Sequence, residues 1–227
     1  MIAMKKQLFD EWPDQYDRWF ETPVGSLIKK CEEDLITELL APFSGEHILD
    51  AGCGTGVFTL KILAAGSSVV GVDLSLPMLH KAHVKFGSSR FNPAAADILR
   101  LPFKEQTFDK VVSTTALEFI EDGAGAAREL FRVAKAGGVV LVATLNGLSP
   151  WAERRREEGK KRQTIFSKAI FRSPEEMRAL APFPSIVKTA VHFPRDTTPE
   201  QAIQLEQKGR EKGLRTGAFI AVRWHKP

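Results

Sequence analysis

Hydrophobic positions early in the chain follow a helical spacing. Within residues 24–40 the apolar side chains recur at three- and four-residue steps, which predicts one apolar face of a helix. The helix is expected to end before Pro42, because a proline ring disfavours a helical residue ahead of it. The segment before this helix is polar and aromatic and contains Trp12, Tyr16 and Trp19.

Short apolar runs then alternate with helical patterns as far as residue 145. The predicted strands are residues 47–51, 68–73, 91–96, 109–115 and 139–145. The predicted helices between them are residues 57–65, 76–86 and 123–136. Continuous apolar strands separated by helices are typical of a parallel sheet that is covered on both faces. The pattern therefore predicts a doubly wound α/β fold.

The pattern changes after Pro150. Residues 153–162 are densely charged. The segments that follow are a helix, a strand, a second helix and a last strand, predicted at residues 173–180, 186–193, 199–212 and 217–224. The first of these helices starts with Ser-Pro-Glu-Glu, a good N-terminal signal. We expect the two apolar runs to pair as an antiparallel edge of the sheet.

Composition adds limits to this picture. The chain has 227 residues, of which 43% are hydrophobic and 26% charged, and this balance suits one folded domain. No apolar run approaches the ~20 residues that span a bilayer. The start of the chain lacks the features of a secretory signal, so we expect a cytoplasmic protein. With only Cys31 and Cys53, a disulfide framework or zinc cluster is disfavoured, and no metal site is predicted.

The charge distribution is mildly basic, with a formal charge of +4 and a pI near 9.1. That excess is too small to argue for a nucleic-acid partner. The basic clusters 154–156 and 160–162 are interrupted by glutamates, which favours a solvated helix with i,i+4 ion pairs. The alternative is a contact with an anion or RNA, but no RNA-recognition motif accompanies the clusters.

A glycine-rich segment follows the first predicted strand and opens the next helix. It spans residues 48–56 with the sequence ILDAGCGTG. Glycines let the backbone turn tightly and bring its N–H groups close to a ligand. Because dinucleotide- and mononucleotide-binding folds share such loops, the loop alone does not identify the ligand.

Two details of the loop favour S-adenosylmethionine. Asp50 would repel the pyrophosphate of a dinucleotide, whereas S-adenosylmethionine brings an ammonium and a sulfonium cation and no phosphate. The glycines lie at Gly52, Gly54 and Gly56, and Val57 stands where the dinucleotide pattern G-x-G-x-x-G requires glycine. An NAD-dependent oxidoreductase therefore ranks last among the functions considered.

Asp73 ends the second predicted strand, in the segment VVGVD. A carboxylate at this place can accept hydrogen bonds from both ribose hydroxyls of an adenosine-bearing ligand. The alternative is a cap on the next helix, ahead of Ser75. Both interpretations stay open at the level of the sequence.

Four ordered blocks resemble class I S-adenosylmethionine-dependent methyltransferases of the type 11 group, which includes the ubiquinone and menaquinone C-methyltransferases. The blocks are ILDAGCGTG (48–56), VVGVDLS (69–75), ADILRLPFKEQTFDKVVSTTALEFIED (96–122) and RVAKAGGVVLVATLN (132–146). The resemblance covers residues 46–145. It implies a Rossmann-like, mostly parallel seven-stranded sheet with an antiparallel C-terminal edge, and methyl transfer from S-adenosylmethionine with S-adenosylhomocysteine as product.

The resemblance also implies a division of the chain. We expect one methyltransferase domain over residues 1–227. Its predicted parts are a helical leader or lid, a cofactor-binding core, a substrate cover and C-terminal strands, at residues 1–45, 46–149, 150–185 and 186–227.

Matching positions take on roles from the same resemblance. Gly52 and Gly54, with Asp50 nearby, would cradle the methionine part of the cofactor. Asp73 would bind the ribose, and Leu74 would flank the adenine ring.

The adenine and methyl regions have further candidates. Asp97 would accept the adenine amino group, with the Ile98 backbone N–H beside it. Asp97 follows three alanines and could equally be a turn residue. Thr114 and Thr115, at the end of the fourth strand, would line the sulfonium and methyl region.

Tyr16 and Trp19 belong to an aromatic patch ahead of the first strand. Such residues can fold over the cofactor as a lid, with the Tyr16 hydroxyl reaching the methionine carboxylate. The alternative is a hydrophobic clasp that packs the leader onto the domain. A buried tyrosine hydroxyl needs a hydrogen-bond partner, which favours the lid for Tyr16.

A general base is not identified by the sequence. Methyl transfer requires no protein nucleophile, and a base is needed only where the acceptor is protonated. The histidines are interpreted as surface or edge residues at positions 47, 80, 83, 192 and 225. Glu118 lies at the ligand end of the fourth strand, where it would steer a cationic or amine substrate or serve as a surface or structural carboxylate.

The leading hypothesis is a methyltransferase for a small-molecule acceptor. The alternatives are a tRNA or rRNA methyltransferase, which the pI favours, and a non-catalytic adenosylmethionine-binding partner protein. Neither the acceptor nor the oligomeric state is predicted.

Overall fold

A computed structural model describes residues 6–87, 89–162 and 164–227. The helices are α1 (Pro13–Glu21), α2 (Pro23–Leu40), α3 (Thr59–Ala64), α4 (Leu76–Phe86), α5 (Gly123–Val133), α6 (Pro150–Lys161), α7 (Pro174–Arg178) and α8 (Pro199–Glu211). The strands are β1 (His47–Ala51), β2 (Ser68–Asp73), β3 (Phe91–Ala95), β4 (Phe108–Thr114), β5 (Ala134–Leu145), β6 (Ser185–Ala190) and β7 (Phe219–His225). Residues 1–5, on which the expectation about a secretory signal partly rests, lie outside the described residues.

The strands form one seven-stranded sheet in the order β3-β2-β1-β4-β5-β7-β6. Pairing is parallel from β3 through β5, and β7 is antiparallel to both β5 and β6. The predicted doubly wound fold and the antiparallel pairing of the last two apolar runs are confirmed. The strand order reverses between β1 and β4, and ligands of open α/β sheets bind at such a switch point.

Helices cover both faces of the sheet with separate hydrophobic clusters. On one face Leu35 and Leu39 of α2 pack with β1 and the chain around α8. On the other face Leu130 of α5 and Met177 of α7 pack against β4, β5 and β7. These side chains are almost fully buried. Parallel strands with two buried faces account for the near-continuous apolar runs of the sequence.

The leader contains two helices because Thr22 separates them. Its extended backbone ends α1, and its hydroxyl caps α2 by accepting the Gly25 N–H at 3.1 Å. At the other end α2 stops at Leu40, and Ala41 takes a left-handed conformation with φ 45°. The predicted end of this helix before Pro42 is confirmed.

Several predicted boundaries are wrong: the strand predicted to end at residue 193 ends at Ala190, and the boundary between α5 and β5 is displaced most. The helical pattern extends to residue 136, yet α5 ends at Val133 and β5 begins at Ala134, ahead of the predicted start at residue 139. Ala134 is extended and pairs with Phe108 across a register shift in β4. The apolar pattern missed this part of the strand because Lys135 and Gly137 interrupt it.

Two further observations concern the described residues as a whole. Their helices are all too short or too polar to cross a lipid bilayer. Cys31 and Cys53 are both free and buried.

Candidate functional site

A cavity of about 240 Å³, here called the smaller cavity, lies at the carboxyl ends of β1, β2 and β4. Ala51 pairs with Val72 in the parallel register, so the loop after β1 lies beside Asp73. The predicted ligand contacts all line this cavity: Tyr16, Asp50, Gly52, Gly54, Asp73, Leu74, Asp97, Ile98, Thr114 and Thr115. The fold therefore brings the predicted residues together, and their roles toward a ligand stay predictions.

The loop after β1 turns through three glycines at positive φ. The angles are 79° at Gly52, 54° at Gly54 and 77° at Gly56. A Cβ on Gly52 would collide with the Ala116 Cβ, and one on Gly56 would collide with the Phe86 ring. Gly54 has open space around it and is favoured by its backbone angle alone. The spacing G-x-G-x-G therefore follows from the path of the backbone around the cavity.

Asp50 brings a buried carboxylate to this cavity. It is 3% exposed, and its Oδ2 accepts a 2.6 Å hydrogen bond from the Thr59 hydroxyl on α3. Burial raises the pKa of Asp50 to about 6; the Thr59 bond lowers it and the charge of Asp73 raises it further. Among the described residues no cation pairs with this carboxylate. A cationic ligand group would therefore relieve an uncompensated buried charge.

Asp73 holds the backbone on both sides of its own strand end. Its Oδ2 accepts the Gly54 N–H at 2.9 Å and its Oδ1 accepts the Ser75 N–H at 2.8 Å. The cap of α4 is Ser75, whose hydroxyl accepts the Met78 N–H at 3.4 Å. Burial raises the pKa of Asp73, while these backbone bonds lower it. Each carboxylate oxygen keeps a further lone pair for a ligand hydroxyl.

Leu74, Asp97 and Ile98 line the cavity from the turns after β2 and β3. Leu74 is 47% exposed and offers an apolar surface, whereas Ile98 is buried. The Asp97 Oδ1 accepts the Leu99 N–H at 2.9 Å inside a turn that is closed by a bridge to Arg100. Asp97 is therefore a turn residue, as one of the two interpretations expects, and it is also part of the cavity wall.

The end of β4 presents two hydroxyls. The Thr114 Oγ1 is buried and has no hydrogen-bond partner among the described residues. Thr115 takes a left-handed conformation with φ 51°, which is strained for a β-branched residue. Its hydroxyl lies 3.3 Å from the Tyr16 hydroxyl. Burial raises the pKa of Tyr16 above its usual range, so this phenol stays protonated at neutral pH.

The leader helix α1 is fastened over the cavity by contacts that the sequence did not predict. Asp17 accepts a 2.6 Å hydrogen bond from the Thr55 hydroxyl in the glycine loop. Lys81 and Lys85 of α4 lie 3.4 and 3.3 Å from the same carboxylate. These partners are far apart in sequence and carry no shared motif, so no sequence signal pointed to them.

A second cavity of about 570 Å³, here called the larger cavity, adjoins the first. Four residues line both cavities: Phe9, Tyr16, Thr115 and Phe119. Helices α1, α2 and α6 and the 3-10 turn Leu117–Phe119 contribute its other walls. Trp12, Trp19 and Trp151 make much of the wall aromatic. A molecule held here would reach the cavity beside Thr115.

Glu118 lines the larger cavity and is 1% exposed. Its Oε2 accepts a 2.8 Å hydrogen bond from the Thr144 hydroxyl. Burial raises the pKa of Glu118 to about 7, and its hydrogen bonds and nearby arginines lower it. The alternative of a surface carboxylate is wrong, because this side chain is inside the protein.

The charged segment after Pro150 forms α6, and only part of this helix is solvated. Arg154 pairs with Glu158 at 2.9 Å in the predicted i,i+4 geometry. For Arg155 the solvated interpretation is wrong, since its guanidinium lies 5.4 Å from the Trp151 ring centroid and 4.9 Å from that of Phe166. One of its nitrogens is buried without a hydrogen-bond partner in the described chain. Arg155 instead lines the larger cavity.

The histidines lie elsewhere. None of them is among the described residues that line either cavity. His47 is at the start of β1, the far end of the strand, where its ring nitrogen lies 3.1 Å from the Ser68 hydroxyl. The interpretation of this residue as structural agrees with its position.

Part of this chain is similar to known methyltransferase domains. Residues 49–142 match the family described as "Methyltransferase domain". A malonyl-[acyl-carrier protein] O-methyltransferase of Erwinia billingiae is 37% identical over 122 residues, which are 54% of this chain and 47% of that protein. A demethylmenaquinone methyltransferase of Roseiflexus castenholzii is 38% identical over 104 residues, 45% and 44% of the two chains. The match thus spans about half the length of these curated relatives.

A solved structure extends the likeness to nearly the whole fold. It is a SAM-dependent methyltransferase of Thermotoga maritima, described as a possible histamine N-methyltransferase. It has a TM-score of 0.75 and 22% identity, and the superposition covers 96% of this chain and 98% of that one. The predicted class I methyltransferase fold is confirmed. The resemblance to the type 11 group is likewise confirmed, over the matched domain.

Proposed function

From the methyltransferase domain at residues 49–142, we propose that this chain transfers a methyl group from S-adenosylmethionine to a small-molecule acceptor and releases S-adenosylhomocysteine. The smaller cavity holds the cofactor. The larger cavity holds the acceptor. Residues 1–45 act as a lid, residues 46–149 as the cofactor-binding core, residues 150–185 as a substrate cover, and residues 186–227 as the strands that complete the sheet.

The observation that carries this proposal is the junction of the two cavities at Tyr16 and Thr115. A donor on one side and an acceptor on the other would meet there, sheltered by α1. The wall of the smaller cavity also fits the cofactor. Asp50 is a buried carboxylate that lacks a cation, and Thr114 has a buried hydroxyl that lacks a partner, each in the described part of the chain.

The residues divide the work of binding. Asp73 accepts the ribose hydroxyls, because both its oxygens are held in place by backbone N–H groups and retain lone pairs. Gly52 and Gly54 let the backbone approach the methionine part, whose ammonium faces Asp50. Leu74 flanks the adenine ring.

At the other end of the cofactor, Asp97 accepts the adenine amino group beside the Ile98 N–H. Thr114, Thr115 and Tyr16 surround the reacting methyl. The bound cofactor supplies an electrophilic methyl group and a neutral thioether as leaving group. The chain contributes alignment and exclusion of water, which together lower the barrier of a displacement reaction.

The acceptor is small in this proposal. The larger cavity is bordered by α1, α2 and α6 and is partly open to solvent, and its volume of about 570 Å³ suits a compact molecule or the end of a carrier-bound chain. The curated relatives are named for malonyl-acyl-carrier and demethylmenaquinone substrates. An extended nucleic acid would contact an open basic surface instead, so tRNA or rRNA is disfavoured as the acceptor.

Calorimetric titration with S-adenosylmethionine, S-adenosylhomocysteine and NAD tests the cofactor assignment. We expect both adenosyl ligands to bind and NAD to leave no signal. Binding of NAD alone would refute the proposal. Incubation of the chain with radiolabelled methyl donor and a metabolite extract then tests turnover, with label expected in the low-mass fraction. Label recovered only in RNA, or bound donor without any transfer, would contradict a small-molecule methyltransferase.

A further inference from the structure

Glu32 is a carboxylate on the apolar face of a helix. It lies on α2 one turn from Ile28 and one turn from Ile36, both of which are buried in the core. Glu32 itself is 4% exposed, and its side chain lines the larger cavity. In the described part of the chain no hydrogen bond or ion pair within 4.0 Å engages it. Such a buried, unpartnered carboxylate is costly and is retained where a ligand uses it.

Glu32 has charged neighbours but no ion-pair partner within the described residues. Glu118 lines the same cavity, and the guanidinium of Arg155 is close enough to act on both carboxylates without an ion pair to either. Arg172 also acts on Glu118, so Glu32 is the carboxylate left without a cation of its own in the described chain. The other charged residues of the wall stand at its exposed rim: Arg18, Arg154, Glu158 and Arg195. Glu33 adds a further acidic neighbour, but it pairs with Lys29 at 3.4 Å. Burial raises the pKa of Glu32 to about 8, so the free protein holds a proton in place of the missing cation.

We propose that the methyl acceptor is a small amine, cationic in solution, whose nitrogen is held by Glu32 and Glu118 beside Tyr16 and Thr115. This inference rests on the function proposed above and specifies the acceptor. An ammonium supplies the cation that Glu32 lacks. The aromatic side chains Trp12, Trp19 and Trp151 favour a flat or apolar body behind the nitrogen.

The same carboxylates account for the proton that must leave. Binding of the ammonium first releases the proton of Glu32 to solvent. Because an ammonium has no lone pair, it then gives one of its own protons to the Glu32 carboxylate. The free nitrogen then forms a bond to the methyl carbon as the carbon–sulfur bond breaks, and that electron pair stays on sulfur. The product is again a cation, which the Glu118 carboxylate stabilises, and the proton on Glu32 then passes to solvent. Charge and atoms balance without a further reactant.

An acidic acceptor fits this cavity poorly. A carboxylate such as the malonyl group named for relatives would meet the buried Glu32 and Glu118, with Arg155 beside them. The other arginines of the wall stand at its exposed rim: Arg18, Arg154 and Arg195. Like charges at close range disfavour binding strongly inside a protein. The carboxylates of the larger cavity therefore favour binding of an amine over binding of an acid.

Three probes with one ring and different head groups test the idea on the unaltered chain. They are 2-phenylethylamine, 2-phenylethanol and 3-phenylpropionate, each titrated with and without saturating S-adenosylhomocysteine. We expect the amine to bind at least ten-fold more tightly than the alcohol or the acid. Repeating the amine titration at pH 7.5 in buffers of different ionisation enthalpy should show that a proton is released. Preference for the acid, equal affinities, or no binding of the amine at millimolar concentration would each overturn the proposal.

Substitutions of the two carboxylates test which side chain binds the amine. Glu32→Gln should weaken amine binding at least ten-fold and leave the alcohol unaffected, and Glu118→Gln should act in the same direction if the first variant fails to fold. Glu33→Gln is the control, because its side chain lies at the next position on α2 and does not line the cavity. Amine affinity that is unchanged in Glu32→Gln refutes the assignment. If the amine binds through Glu32 although the chain does not bind S-adenosylhomocysteine, then the cofactor proposal is refuted and the amine assignment is not.

Discussion

Asp17 accepts a 2.6 Å hydrogen bond from the hydroxyl of Thr55, and this bond joins the leader helix α1 to the glycine loop. Thr55 is fully buried beneath the helix. Lys85 donates to the Thr55 carbonyl at 2.8 Å and also lies near Asp17. The helix and the loop are therefore joined by direct contacts. We expect a ligand that orders the loop to order this helix, the proposed lid, as well.

Replacement of Thr55 by valine should loosen this lid. The change keeps the volume of the side chain and removes one buried hydrogen bond, a loss of about 1 kcal/mol. We expect faster amide hydrogen exchange within α1 and an S-adenosylmethionine affinity about five-fold weaker. Thr107→Val is a matched control, because that hydroxyl donates at 2.7 Å to the Lys104 carbonyl in an exposed turn. Equal behaviour of the two variants would show that the bond does not couple lid and loop.

Loss of the Asp73 carboxylate should damage cofactor binding more than it damages the fold. Asp73→Ala removes the anchor of the Gly54 and Ser75 N–H groups together with the proposed ribose contact. Charge-assisted hydrogen bonds of this kind are each worth about 1.5–3 kcal/mol, so we expect the dissociation constant to rise ten-fold or more.

The control for Asp73 is at the opposite end of the parallel strands. Asp109 also accepts a backbone N–H, that of His47 at 2.8 Å, but lies near the amino end of β4, beside the start of β1. Asp109→Ala should lower the melting temperature without changing cofactor affinity. If both variants bind S-adenosylmethionine as the unaltered chain does, the ribose assignment is refuted.

The sequence predicted the sheet and the smaller cavity because both depend on local patterns. Apolar runs define the strands, and the glycine loop and Asp73 each lie directly after a strand, where topology brings them together. The larger cavity depends on contacts between distant segments. Its residue Arg155 lies in a cluster of like charges, and the packing of α6 places this guanidinium against the rings of Trp151 and Phe166.

Glu32 was also missed, although a signal for it exists. It lies within the predicted helix 24–40, three residues before Leu35 and four before Ile36, and so on the apolar face. A charge at a position that the helical period buries indicates a functional or paired residue. Attention to the polar exceptions within an apolar face, in addition to the face itself, would have found it.

The Asp50 carboxylate should lower the free energy of unfolding at neutral pH while it favours binding of the cofactor. Its pKa of about 6 is above the ordinary value of 3.8, so the folded chain holds the proton more tightly than the unfolded chain does. The contribution is therefore favourable at low pH and is lost as the pH rises through 6, at a cost on the order of 3 kcal/mol at pH 7. We expect Asp50→Asn to melt at a higher temperature at pH 7.5 and nearly unchanged at about pH 3, below both pKa values.

The same variant should lose affinity for cationic ligands. S-adenosylmethionine should bind Asp50→Asn at least ten-fold more weakly, since the carboxylate no longer faces its positive charges. Methylthioadenosine, which has neither the ammonium nor the sulfonium, is the matched ligand and should bind the two proteins alike. An equal loss for both ligands would contradict the electrostatic role and indicate a distorted loop.

Tyr16 should act as a hydrogen-bond donor and as part of the wall between the two cavities, and it should not act as a base. Its hydroxyl lies 3.3 Å from that of Thr115, and its ring packs edge-on against Phe20 at 5.3 Å. Because burial raises the pKa of the phenol above its usual range, it does not ionise between pH 6 and 9. We expect Tyr16→Phe to weaken cofactor binding by about 1 kcal/mol, or roughly five-fold, and to leave the shape of the pH–rate profile unchanged. Tyr16→Ala also opens the wall between the cavities and should reduce turnover much further. A profile that loses its alkaline limb in Tyr16→Phe would identify the phenol as the base and would contradict a purely positioning hydroxyl.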